Sequence, residues 1–239
     1  MDTKIVIAGS IILIGIVIDL LFIRSEYAKK MKEATVLKGL ASLMFVILGI
    51  FLYRSNPASV TRLILLGLVF GMLGDIFLNL RNLYEGGVSN KIFAVGILLF
   101  LIGHFMYIAA LICCDAKLLL PGTGIALVLS VLSIPPLMKC ISAPSKGLKI
   151  FGYVYLVIVI SMFSASVALL LRSALPAGAG ISCFQILFTV GAGLFVVSDF
   201  IMIYYSFGKK IAPLRAINLL SYYIGQILIA LCISLFAWA

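Results

Sequence analysis

The sequence predicts an all-α fold: a polytopic membrane protein built as a bundle of about eight transmembrane helices in one integral membrane domain over residues 1–239. Composition is the first reason. Hydrophobic residues make up 64% of the chain and charged residues 11%, against roughly half and a quarter in soluble domains. The second is length: apolar runs of about 18 to 22 residues recur along the chain, each able to cross a hydrocarbon core of roughly 30 Å as a helix. The third is how little lies between them. The connections are too short to hold a soluble catalytic or binding domain, so any chemistry must lie between helices.

The spans are expected at 4–23, 36–53, 61–80, 92–112, 118–138, 148–170, 182–205 and 215–237. Pro121 opens the fifth, where a missing N–H costs little, and Pro135 and Pro136 end or kink it. The basic residues are distributed unevenly. Arg24, Lys29, Lys30, Lys32 and Lys38 fall to the first connection, and Arg81 and Lys91 to the third. Lys139, Lys146 and Lys149 fall to the fifth, and Lys209, Lys210 and Arg215 to the seventh. Only Lys4, Arg54, Arg62, Lys117 and Arg172 lie on the other side. The positive-inside rule then places the odd connections in the cytoplasm and both termini of this multi-pass cell-membrane protein outside it.

A net charge of +10 does not point to nucleic acid as a partner, because the basic residues sit at helix ends and form no basic tract. Five cysteines, Cys113, Cys114, Cys140, Cys183 and Cys232, show no CxxC spacing and read as small buried hydrophobes. The first apolar run lacks a small-residue cleavage site and is expected to remain as a helix.

A weak internal repeat sets Gly67–Leu78 against Gly191–Met202, with Gly67 over Gly191 and Asp75 over Asp199. Four spans separate the two copies, so both run the same way. A duplication would give two parallel four-helix halves about an axis along the membrane normal.

Acidic residues within spans carry the most information, since even mild insertion scales charge about 2.5–3.5 kcal/mol for a central Asp. Asp19, Asp75 and Asp199 qualify, all in the half nearer the odd connections; Asp115 reads as a solvated helix end. In the third span Gly67, Gly71, Asp75 and Asn79 form one stripe at i, i+4 spacing. His104 and Tyr107 are helical neighbours in the fourth, Ser198 precedes Asp199 in the seventh, and Asn218, Tyr222 and Gln226 line the eighth. Polar groups of this kind also serve as ordinary inter-helix hydrogen bonds. Two deep aspartates are costlier than that role needs. A single histidine and unclustered cysteines supply few zinc ligands, and no GxSxG elbow frames a serine triad. Acid–base chemistry by two carboxylates remains, with no metal and no cofactor expected.

Four short motifs occur in order: Gly74-Asp75 followed by Leu78, Gly103-His104 with Tyr107, Ser198-Asp199, and Tyr222-Tyr223 with Gln226. Together they resemble the YhhN family, which includes the lysoplasmalogenases. The resemblance runs from about residue 67 to 230. It implies a membrane-embedded hydrolase that cleaves the vinyl ether of a lysophospholipid substrate, a lysoplasmalogen, to a fatty aldehyde and glycerophosphoethanolamine or glycerophosphocholine. Such a reaction protonates the vinyl β-carbon, passes through an oxocarbenium ion and ends when the hemiacetal collapses. One carboxyl must be protonated and another charged, as in two-carboxylate glycosidases. On this resemblance Asp75 and Asp199 are the catalytic pair, Asp199 the acid and Asp75 the base or cation stabiliser. His104, Tyr107, Asn79, Ser198, Tyr222 and Gln226 would orient the pair or the substrate, and Arg81, Lys209 and Lys210 would lie near a phosphate. The competing reading is a lipid or small-molecule transporter whose aspartates relay protons.

Overall fold

The computed structural model describes residues 3–142, 146–175, 180–209 and 211–236, without the side chains of 146–149 and 212. Among them are eight helices long and apolar enough to span a membrane: α1 (Thr3–Tyr27), α2 (Met31–Tyr53), α3 (Ser59–Leu80), α4 (Gly86–Cys114), α5 (Leu119–Lys139), α6 (Lys146–Ala174), α7 (Cys183–Phe207) and α8 (Ala212–Leu235). Four of them, α1, α2, α4 and α6, run a turn or more beyond the expected spans, because a helix end in the headgroup region keeps its backbone hydrogen bonds after the apolar run stops. α5 continues through Pro135 and Pro136 to Lys139, so these prolines do not end it. Lys29 takes the left-handed conformation (φ 58°), and the Lys30 N–H returns to the Ser25 carbonyl at 3.0 Å. This closes α1 and reverses the chain into α2 within a few residues.

Consecutive helices pack together within residues 3–114 and again within the described part of 119–235, and the two sets meet where α2, α3 and α1 lie on α8 and where α4 lies on α6. Exchanging the sets maps the α2–α8 contact onto α4–α6. The glycines repeat the relation. A Cβ on Gly103 of α4 would lie 3.1 Å from the Gly67 carbonyl oxygen of α3. One on Gly225 of α8 would lie 2.9 Å from the Gly191 carbonyl oxygen of α7. Each α3–α4 and α7–α8 pair therefore crosses at a glycine–glycine contact, where backbones approach too closely for any side chain. Two parallel four-helix halves describe the bundle.

Three sequence-based expectations change. Of the cysteines read as small buried hydrophobes, Cys232 is buried and Cys114 half-buried, whereas Cys113, Cys140 and Cys183 are exposed. Lys38 is no connecting-loop charge: it stands two turns inside α2 and is 7% exposed. Asp115 is not simply solvated. Its carboxylate accepts from the Arg172 guanidinium at 2.7 Å and from the Lys117 N–H at 2.9 Å. The Arg172 bond, ahead of the backbone bond, holds this carboxyl below the ordinary carboxylate range. The pair ties the α4–α5 connection to the end of α6. Lys210 and the side chains of Lys146 and Lys149 lie outside the described residues.

Candidate active site

The polar stripes of α3, α7 and α8 converge at the end of the bundle that carries the odd connections, around a cavity of about 470 Å³. Asp75 and Asp199 both line it, from α3 and α7. They are 2% and 3% exposed, so neither carboxyl depends on bulk water. Their surroundings differ sharply.

Asp75 is enclosed by donors. Lys38 Nζ lies 3.0 Å from Oδ1, while Ser42 Oγ and the Tyr222 hydroxyl donate to Oδ2 at 2.5 and 2.7 Å. The Lys38 ammonium also sits over the Tyr222 and Tyr223 rings, 4.7 and 4.8 Å from their centroids. A buried ammonium with a carboxylate and two aromatic faces is a satisfied cation. Lys38 and Ser42 are one turn apart on α2 and present both groups to the same carboxylate.

Asp199 has no cationic partner among the described residues. The Tyr155 hydroxyl of α6 donates to its Oδ2 at 2.8 Å, and its neighbour Ser198 is occupied elsewhere. Asn218 of α8 donates to the Ser198 carbonyl and hydroxyl at 2.7 and 2.8 Å, locking α7 to α8. Asn218 in turn accepts from Arg215 at 2.8 Å, and Arg215 forks onto Glu26 of α1 at 2.8 and 3.1 Å.

Of the residues expected to orient the pair, Asn79, Ser198 and Tyr222 line the cavity, whereas His104, Tyr107 and Gln226 stand behind it. They form a chain. The Tyr107 hydroxyl donates to Gln226 Oε1 at 2.9 Å, Gln226 Nε2 donates to the Tyr222 oxygen at 3.3 Å, and Tyr222 donates to Asp75. Gly67 and Gly71 make this chain possible. A Cβ on Gly67 would fall 2.3 Å from the Tyr107 ring, and one on Gly71 would fall 3.0 Å from Gln226 Nε2.

His104 Nδ1 lies 2.7 Å from the Phe100 carbonyl. A carbonyl only accepts, so Nδ1 carries the proton and Nε2 the lone pair. That lone pair is buried without a partner among edge-on rings, Phe195 at 4.7 Å and Tyr155 at 5.8 Å between centroids. His104 thus packs against Tyr155, the donor to Asp199. Asn79 spends its amide on the Ala34 carbonyl at 3.1 Å and accepts from Asn82 at 2.9 Å, fixing the end of α3. Asp19 does not line the cavity: it is 3% exposed at a small apolar cleft between α1, α2 and α8, its Oδ1 without a hydrogen-bond partner among the described residues, within electrostatic reach of Lys38 and Asp75. Lys209 is exposed and does not line the cavity.

Sequence reasoning missed Lys38, Ser42 and Tyr155. For the first two a signal existed, a lysine and a serine at i, i+4 inside an apolar run. Tyr155 has none, being one of two tyrosines in α6.

No curated protein and no solved structure matches the chain. A family model matches residues 34–233, from the start of α2 almost to the end of α8 and across every side chain just described except Glu26 and Asp19. The chain belongs to the YhhN family.

Proposed function

We propose that the protein hydrolyses the vinyl ether bond of lysoplasmalogens within the membrane, with Asp199 as general acid and Asp75 as its charged partner. The observation that carries this reading is the inequality of two buried aspartates on one cavity. Asp75 is paired with Lys38 and accepts from two hydroxyls; Asp199 accepts from one tyrosine hydroxyl and has no cationic partner among the described residues. A carboxyl denied a cation in low dielectric keeps its proton, and a carboxylate beside it reinforces that preference.

Vinyl ether hydrolysis needs this division. The Asp199 proton is delivered to the β-carbon, and the positive charge that develops on the ether oxygen and its carbon is met by the Asp75 carboxylate. Water then adds to the oxocarbenium ion and returns a proton to the Asp199 carboxylate. The hemiacetal breaks into aldehyde and a free glycerol hydroxyl. Ile97, Phe100, Met138, Ile141 and Ile203 supply the apolar wall that an alkenyl chain requires.

The test is aldehyde release by purified variants. Asp199→Asn keeps side-chain volume and removes the transferable proton, so turnover should fall by at least about 10²-fold with the melting temperature retained. Near-normal turnover by folded Asp199→Asn would remove it as the acid.

A further inference from the structure

We propose that Arg81 is the phosphate seat of the cavity and takes the phosphodiester of a lysophospholipid headgroup. The inference rests on the lipid-hydrolase reading and deepens it.

Charge is the first support. The cavity is lined by three cations, Lys38, Arg81 and Arg215, and three carboxyls, Glu26, Asp75 and Asp199. Lys38 is paired with Asp75 at 3.0 Å and Arg215 with Glu26 at 2.8 Å. Among the described residues, this leaves Arg81 as the cavity cation without a carboxylate and Asp199 as the carboxyl without a cation. With Asp199 protonated, the lining carries one uncompensated positive charge, and a phosphodiester carries one negative charge.

Geometry is the second. Arg81 follows the last turn of α3, with its guanidinium carbon over the Phe93 ring of α4, 4.3 Å from the centroid. This cation–π contact anchors the guanidinium, and its N–H fork is left for two phosphate oxygens. Arg215 is its electrostatic neighbour and is already paired with Glu26, so of the two guanidinium groups Arg81 is the unspent one.

Reach is the third. Arg81 lies six residues beyond Asp75 on α3, about 9 Å along the axis at 1.5 Å per residue. In a lysoplasmalogen seven bonds separate phosphorus from the vinyl β-carbon, about 8 Å at roughly 1.2 Å per bond in an extended chain. A phosphate held at Arg81 sets the reacting carbon at the level of the aspartates.

The test is equilibrium binding to the purified full-length protein in nanodiscs, with two saturated ether probes that lack the protonatable double bond: 1-O-alkyl-glycerophosphocholine and the phosphate-free 1-O-alkylglycerol. Wild type should favour the phosphate-bearing probe by at least about tenfold. Arg81→Gln should abolish the preference and leave the phosphate-free probe unchanged, while Arg81→Lys retains part of it, and inorganic phosphate in large excess should not displace the probe. Absence of a preference in wild type, an unaltered preference in folded Arg81→Gln, or full displacement by inorganic phosphate would each overturn the proposal. Should Arg81→Gln fail to fold, an Arg81→Lys preference equal to wild type overturns it instead. Binding needs no turnover, so the hydrolase reading and the phosphate seat fail separately: aldehyde release without phosphate preference removes the seat alone, and phosphate preference without aldehyde release removes the reaction alone.

Discussion

Removing Lys38 would leave Asp75 buried with two hydroxyl donors and no counter-charge, and removing Asp75 would strand an ammonium between two tyrosine rings. Breaking a buried pair from one side costs about 3–5 kcal/mol, whereas replacing both partners is far milder. Lys38→Met and Asp75→Asn should each lower the melting temperature, and the Lys38→Met/Asp75→Asn double variant should recover part of the loss. Turnover should stay low in all three and return in part with Lys38→Arg. Thermal melts in detergent beside aldehyde assays decide it: a double variant no more stable than the poorer single would mean that the pair is not the unit described. Lys38 was legible in the sequence as a lysine, yet its position at the edge of an apolar run gives it two readings. Only the packing of α2 on α3 and α8 chooses between them.

At the scale of helices, glycine sets which polar groups can meet. Gly67 admits the Tyr107 ring, and through it the line Tyr107–Gln226–Tyr222–Asp75. Gly67→Ala drives a methyl into a filled core and should cost about 1–3 kcal/mol, with turnover falling as Tyr222 moves off Asp75. Gly9 in α1, where a Cβ meets nothing within 4 Å, is the control: Gly9→Ala should be neutral or slightly stabilising. Equal effects at both positions would show that helix propensity, not the Tyr107 contact, governs Gly67. The Asp115–Arg172 pair gives a second test. Because the folded-state carboxyl sits below its ordinary value, its contribution is present above about pH 4 and fades as pH falls through the lowered value. Being partly exposed, the pair is worth about 0–1 kcal/mol, so Asp115→Asn should shift the acid side of the melting profile slightly and leave turnover unchanged. The Gly-x-x-x-Gly-x-x-x-Asp-x-x-x-Asn stripe of α3 was readable because helical spacing alone puts those residues on one face. What stands opposite Asp199 was not, since Tyr155 arrives from α6 by tertiary packing that no local pattern records.

Across the whole molecule, two halves of one four-helix design hold unlike carboxyls: the α2 half supplies lysine and serine to Asp75, and the α6 half supplies a tyrosine to Asp199. The fold class was legible because eight apolar runs leave little else for the chain to form. The unlike surroundings of the two aspartates were not, because they depend on which side chains face them across helix interfaces. Orientation can be tested independently. Relocating Lys38 into α2 leaves the basic residues still concentrated on the odd connections, so a reporter fused after Ala239 should map outside the cytoplasm; a cytoplasmic signal would reverse the cavity mouth to the outer face. The central claim is acid-catalysed cleavage of a vinyl ether, and its most direct measurement is aldehyde release by the purified protein from lysoplasmalogen beside the ester-linked lysophospholipid of the same headgroup, with and without a strong chelator. The account predicts aldehyde from the vinyl ether, no fatty acid from the ester, and no effect of the chelator. Fatty acid released from the ester at a comparable rate, or activity abolished by the chelator and restored by zinc, would contradict it.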